Sequence, residues 1–223
     1  MAFIETEHAP AIDADVRAMY ERQAAHYGYV PNYARVFCHR PEIMRLWAQL
    51  QAGIKRHMDK RRFELATFAA AHELRSTLCS LAHGKALTAY FSMADVQAMA
   101  RGEAPPSLTA AEAAMMTFAR KVARDATSVT AGDIGELKRH GFTAGEVFDI
   151  TATAAARAFW TKVIESLGVE ADAPLLAMDA EFRKALTAGR PVDAGQPERL
   201  PATAAGAGRM THPAARQSCR NFR

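Results

Sequence analysis

The segment from Arg61 to Leu87, RRFELATFAAAHELRSTLCSLAHGKAL, holds the residue types that could do chemistry. Cys79 and His83 are four apart and Ser76 is three before Cys79, so a helix starting near Ser76 sets all three on one face. An imidazole beside a thiol has a plain use. It takes the thiol proton, or as imidazolium it stabilises the thiolate, which is the nucleophilic form. Cys79 also falls in the first turn of that helix, where unpaired N–H groups and the helix dipole favour an anion. Glu64, on the preceding helix, can orient or charge His83 if the two helices pack antiparallel. Each residue has an ordinary reading as well: a Cys in Ala/Leu-rich text is commonly a small buried hydrophobe, and a Ser ahead of a helix is commonly its cap.

The elements that must position these residues read as helices throughout. Thr109-Ala110-Ala111-Glu112 and Thr143-Ala144-Gly145-Glu146 are capping boxes, each opening an apolar-periodic run. Ser92-Met93-Ala94-Asp95 and Thr130-Ala131-Gly132-Asp133 are weaker forms of the same device. Pro41 suits the first position of a helix, Gly28, Gly102, Gly141 and Gly168 suit helix stops, and Pro105-Pro106 breaks the chain. Helices are therefore expected near Asp13–His26, Asn32–His39, Pro41–His57, Lys60–Leu74, Ser76–Tyr90, Ala94–Arg101, Ala110–Asp125, Gly132–Arg139, Glu146–Leu167 and Pro174–Ala188. No stretch shows strand alternation, so the fold class is all-α.

Composition narrows the function. The 223 residues are 49% hydrophobic, with Ala dominant, which favours closely packed helices. No apolar run is long enough to span a membrane, and MAFIETEHAPAIDAD lacks a basic, apolar leader, so a cytoplasmic protein is expected. Between Arg190 and Arg223 lie six arginines and two acids, which accounts for the whole net charge of +4. A phosphate-binding surface needs its cations clustered on folded structure, so nucleic-acid binding is not expected. The text from 189 to 223 is rich in Pro, Gly, Ala and Arg and reads as a disordered tail, with Cys219 an incidental thiol in it. Residues 1–188 then form one domain. Three scattered cysteines make no disulfide framework. Phe118, Phe159 and Trp160 read as core or subunit contacts, and Met115-Met116 as filler on a helix face.

Glu64, Ser76, Cys79 and His83, separated by eleven, two and three residues, resemble the Glu…Cys-x-x-Cys…His motif of alkylhydroperoxidase D, with Ser76 standing at the first cysteine. Tyr29-Val30-Pro31-Asn32 and His39-Arg40-Pro41-Glu42 resemble the lead-in of the peroxidase-related branch. The Thr109 box, the Val129-Thr130 turn, His140-Gly141-Phe142 and the Phe159…Leu167-Gly168-Val169 ending are also similar to it. The resemblance, to the AhpD-like and carboxymuconolactone-decarboxylase superfamily, runs from about Gly28 to Asp172. It implies an AhpD-like helical bundle assembled as a homo-oligomer, commonly a trimer or hexamer. Long apolar helices such as Glu146–Leu167 agree with that in part.

The resemblance also implies roles. Cys79 stands at the peroxide-attacking position, with His83 and Glu64 as the relay that moves its proton. The expected function is a cofactor-independent thiol peroxidase acting on small hydroperoxides. Ser76 replaces the resolving thiol, so an external thiol, or Cys38, must reduce the oxidised sulfur. Ser76 itself either hydrogen-bonds the thiolate or caps the helix. His72 could line the same pocket. A metal held by Glu64, His72, Cys79 and His83 lacks a standard ligand spacing, and no metal is expected. Two alternatives stay open. One is a decarboxylase-type lyase or isomerase acting on a small organic acid with His83 as acid and base. The other is a helical oligomer without chemistry.

Overall fold

Helix-forming text with strong start signals folds here as those signals require. The computed structural model describes residues 2–6 and 13–195. Among these the helices are α1 (Ala14–Tyr27), α2 (Asn32–Val36), α3 (Pro41–Lys55), α4 (Lys60–Glu73), α5 (Thr77–Leu87), α6 (Met93–Ala100), α7 (Ala110–Asp125), α8 (Ala131–Arg139), α9 (Ala144–Ser166) and α10 (Ala180–Leu186). The fold is all-helical, as expected. All four capping boxes close: the Glu112 N–H donates to Thr109 Oγ1 at 3.2 Å while Glu112 Oε2 accepts from the Thr109 N–H at 3.0 Å, and the other three repeat the pattern. The four expected stop glycines all lie past helix ends with positive φ. No helix among the described residues is long and apolar enough to cross a membrane.

Two expected helices break up. Phe37–His39 tightens into a 3₁₀ turn after α2, and Pro174–Ala188 divides into a 3₁₀ turn, Ala173–Ala177, and α10. The cause of the second break is Asp179, whose carboxylate accepts the Phe182 N–H at 2.8 Å and so starts a new helix where the old one would have continued.

At the centre lies α4, in which every residue from Phe63 to Ala71 is buried, Glu64 included. A stretch buried on every side belongs in the middle of a bundle, and the alanines at 66 and 69–71 let α5, α7 and α9 pack closely round it. The turn from α4 into α5 is tight. Arg75 takes a left-handed conformation, φ 58°, while its N–H donates to His72 O and the Ser76 N–H to Ala71 O, the Schellman pattern normally completed by glycine. That conformation costs a non-glycine residue about 1–2 kcal/mol. Contacts from the C-terminal segment hold it: Arg75 Nε donates to Ala188 O at 3.0 Å, and the Gly189 N–H donates to Thr77 Oγ1 at 3.0 Å. A Cβ on Gly189 would stand 1.9 Å from Arg75 O, so only glycine allows this approach.

Residues 189–195 therefore continue along the bundle, where the sequence had suggested a tail. Arg190 Nη2 donates to Glu165 O at 3.1 Å, and the Asp193 N–H donates to Ala171 O at 2.7 Å. The remainder of the expected tail, 196–223 with Cys219, lies outside the described residues.

Asp172 ties this segment to the start of α2. It is 4% exposed and accepts the Asn32 N–H at 2.7 Å, while Asn32 Nδ2 reaches Asp193 Oδ2 at 3.3 Å. Burial, helped by the Asp193 charge, pushes its carboxyl from 3.8 up to about 6 against the pull of the Asn32 N–H and Arg35. The folded state then holds this proton more tightly than the unfolded chain, so the group weakens the fold as pH rises from about 4 to about 6. The loss is about 3 kcal/mol. Asp172→Asn keeps a carbonyl for Asn32 and does not titrate. Urea melts at pH 4 and pH 7 should show wild type losing stability relative to this variant by that order; an unchanged difference would refute the assignment.

Candidate active site

Antiparallel packing of α4 and α5 brings together the pair expected from the sequence. His83 Nδ1 and Glu64 Oε2 are 2.6 Å apart, with 18% and 9% of the two side chains exposed. Burial pushes the Glu64 carboxyl up, but the His83 hydrogen bond and the charges of His83, Lys55 and Arg157 pull harder and hold it below its usual range. Burial and the Arg157 charge push His83 down, only partly offset by Glu64. The consistent state is a carboxylate accepting Nδ1–H from a neutral imidazole, which leaves Nε2 with its lone pair as a base.

Cys79 is 3% exposed and sits in the first turn of α5. Ser76 is the N-cap, accepting the Cys79 N–H at 3.5 Å, so the capping reading of Ser76 is the one its geometry meets. On α9, Arg190 Nε approaches the Glu165 carboxylate at 3.6 Å. Burial raises the Glu165 carboxyl, with Ser76 and Arg190 opposing.

The sulfur itself faces α9. Arg157 Nη1 donates to Sγ at 3.5 Å, and Thr161 Oγ1 lies 4.0 Å from it. Among the described residues these are its side-chain hydrogen-bond partners. His83 is not one of them, which departs from the direct thiol–imidazole contact that the spacing suggested. A shared helix face fixes a direction, whereas the rotamers of Cys79 and His83 are set by their different neighbours on α9 and α4.

His72 stands apart. It lies two turns from Glu64 along α4, about 12 Å at 1.5 Å per residue. There it stacks on Phe68 at 5.7 Å, and burial followed by the Arg120 charge lowers its pKa. The four-ligand set therefore does not assemble, and no group of three or more His, Cys, Asp or Glu fit for a metal occurs among the described residues. Cys38 is a free, buried thiol on the 3₁₀ turn after α2, beside Phe37, which stacks on Trp160 at 5.1 Å. Trp160, Phe118, Met115 and Met116 are core residues, while Phe159 is 46% exposed.

No family model matches the chain, and no curated protein sequence matches it. Solved structures do. A crystal structure of an alkylhydroperoxidase AhpD core, an uncharacterised peroxidase-related protein from Ralstonia eutropha JMP134, superposes with a TM-score of 0.65 at 22% identity, covering 85% of this chain and 98% of that one. An uncharacterised peroxidase-related protein from Silicibacter sp. TM1040 gives 0.66 at 17% identity, over 83% and 95%. A cysteine-to-alanine variant of the debrominase Bmp8, in complex with 2,3,4-tribromopyrrole, gives 0.62 at 14% identity, over 81% and 94%. The fold is AhpD-like.

Within this AhpD-like bundle, the two residues that touch the thiol, Arg157 and Thr161, were not singled out from the sequence, and neither was Glu165 farther along α9. A signal for the first was present. Arg157 is the only charged residue between Asp149 and Lys162 in an otherwise apolar, Ala-rich helix, where a cation needs a partner or a purpose. Nothing in the local text distinguishes Thr161 or Glu165. The assembled groups offer a thiol touched by a guanidinium, an adjacent carboxylate–imidazole base, and a helix N-terminus beneath the sulfur. That is equipment for nucleophilic chemistry at sulfur.

Proposed function

We propose that this protein is a cofactor-independent thiol peroxidase, with Cys79 as the attacking sulfur. The observation that supports it most is the 2.6 Å Glu64–His83 contact on the helix pair that carries Cys79. In the proposed cycle the hydroperoxide bridges Sγ and His83 Nε2, and the thiol proton passes to the imidazole. The thiolate attacks the terminal peroxide oxygen; the S–O bond forms as the O–O bond breaks, and the imidazolium protonates the departing alkoxide. The products are an alcohol, or water from hydrogen peroxide, and a sulfenic acid on Cys79. Ser76 cannot form a disulfide. One molecule of an external thiol then displaces water to give a mixed disulfide, and a second releases Cys79 and leaves as the oxidised disulfide.

Stopped-flow consumption of hydrogen peroxide and cumene hydroperoxide, with mass spectrometry of Cys79, tests the cycle. Turnover is expected to disappear in Cys79→Ser. If Cys79 oxidises no faster than free cysteine and Cys79→Ser behaves as wild type, the reading fails.

One observation favours a second reading. His83 bonds to Glu64 and not to the sulfur, so it can act alone as acid and base on a small organic acid, as in the decarboxylase side of the superfamily. Turnover of such an acid that survives Cys79→Ala and is lost in His83→Ala would support it; loss in neither variant would remove it.

The chain is also proposed to self-associate as a homo-oligomer. Leu46 and Leu50 on α3, and Phe148 and Phe159 on α9, leave large apolar side chains in solvent, Phe148 with 70% of its surface. A monomer in analytical ultracentrifugation would refute this.

A further inference from the structure

We propose that Arg157 is a catalytic residue: its guanidinium holds the Cys79 sulfur as an anion and then donates to the oxygen that the sulfur acquires. The second half rests on the peroxidase reading; the first half does not.

Arg157 lies in the middle of α9 and is only 6% exposed. Its Nη1 donates to Sγ at 3.5 Å, and its guanidinium carbon lies 5.6 Å from the centre of the Trp47 ring. The Nε atom is buried without a hydrogen-bond partner. No salt bridge joins Arg157 to a carboxylate among the described residues. A buried cation so placed is costly unless the site supplies its counter-charge. The nearby carboxylate, Glu64, is already committed to His83 at 2.6 Å.

Charge accounting over every element that faces the sulfur identifies the missing anion. Arg157 and Thr161 come from α9, Glu64 from α4, His83 and Cys79 from α5; Glu165, one turn beyond Thr161 on α9, has Arg190 beside it. Lys55 on α3 acts on both Glu64 and His83 from farther off. With a thiol and a neutral imidazole, Arg157 and Glu64 cancel at a distance. Moving the thiol proton to His83 leaves the total unchanged but creates two contacting pairs, thiolate with guanidinium and carboxylate with imidazolium. The neutral imidazole is the resting state, and the second arrangement is the one from which the sulfur reacts, with each charge then in contact with its opposite. When peroxide puts an oxygen on the sulfur, the unpartnered Nε–H and the Nη1–H are the buried donors available to a sulfenate, and preorganised donors of this kind act at full strength because water is excluded.

Alkylation by iodoacetamide reads the sulfur's charge without needing peroxide. Arg157→Gln is expected to alkylate Cys79 on the order of tenfold more slowly than wild type at pH 7, roughly the loss of one charge-assisted contact to the reacting sulfur. At pH 10 the two rates should converge. Arg157→Lys restores a charge without the guanidinium fork, and should recover most of the pH 7 rate. Equal rates at pH 7, an equal slowing at both pH values, or a folded Arg157→Lys as slow as Arg157→Gln would overturn the assignment. Should Arg157→Gln not fold, wild type alone decides. A guanidinium at the sulfur raises the ratio of iodoacetate to iodoacetamide rates above that of free cysteine, and a ratio at or below it overturns the proposal. If this pattern holds while wild type ignores peroxide, the peroxidase reading fails and the anion-holding role of Arg157 stands. If peroxide is consumed while the variant alkylates like wild type, the reverse holds.

Discussion

Replacing His83 with alanine is expected to slow hydroperoxide consumption by about 10²–10⁴-fold, the usual worth of a positioned general base. In the proposed cycle the base is the Nε2 lone pair, which is available because Glu64 accepts the hydrogen bond from Nδ1–H and so fixes the tautomer. Glu64→Gln keeps an oxygen that can accept from Nδ1 but removes the charge that stabilises the imidazolium. Its loss should therefore fall between wild type and His83→Ala. The order of the three values of kcat/KM, measured on samples with matching melting curves, is the test. A His83→Ala protein as fast as wild type would take proton transfer away from this pair. Cys79 would then have to rely on its helix position and Arg157 alone.

Phe68→Ala should produce a large loss of stability, about 3–5 kcal/mol, through the cavity that it leaves. Phe68 is completely buried on α4. Its ring supports α5 from below: a Cβ built on Gly84 would meet Phe68 Cε2 at 3.3 Å and Leu186 Cδ2 at 2.1 Å, so α4, α5 and α10 converge there with no spare volume. For a domain of this size that loss corresponds to a Tm lower by on the order of 10 °C. The effect reaches the chemistry because Glu64 is one turn before Phe68 and His83 is next to Gly84. The spacing of the two helices that Phe68 sets is the spacing across which the carboxylate meets the imidazole. Calorimetry of the variant decides; a Tm within a degree or two of wild type would show that the bundle closes over the gap.

Part of the candidate site's geometry can be read from the residues alone, and particular ones show why. Ser76, Cys79 and His83 share a helix face by spacing alone, and a serine before a helix signals a cap. Glu64 meets His83 because a short turn between two helices forces them antiparallel, which brings together positions two turns or so from it on either side. His72, drawn in by its chemistry, obeys the same register and falls too close to the turn to reach the pair. Arg157 was missed for the opposite reason. It is 78 residues from Cys79, and no rule of spacing relates two helices so far apart.

What the sequence by itself determined is everything settled within one helical turn. Thr109, Thr143, Ser92 and Thr130 begin helices because side chain and backbone N–H are covalently close, and the stop glycines end them for an equally local reason. Which helices meet was decided by packing: an Ala-rich α4 disappears into the centre, and α9 is laid across the first turn of α5. The C-terminal segment then clasps the strained Arg75 through Gly189. The electrostatic surroundings of the sulfur belong to this second level, because a charge 78 residues away in the chain becomes a neighbour only when apolar surfaces exclude the water between them.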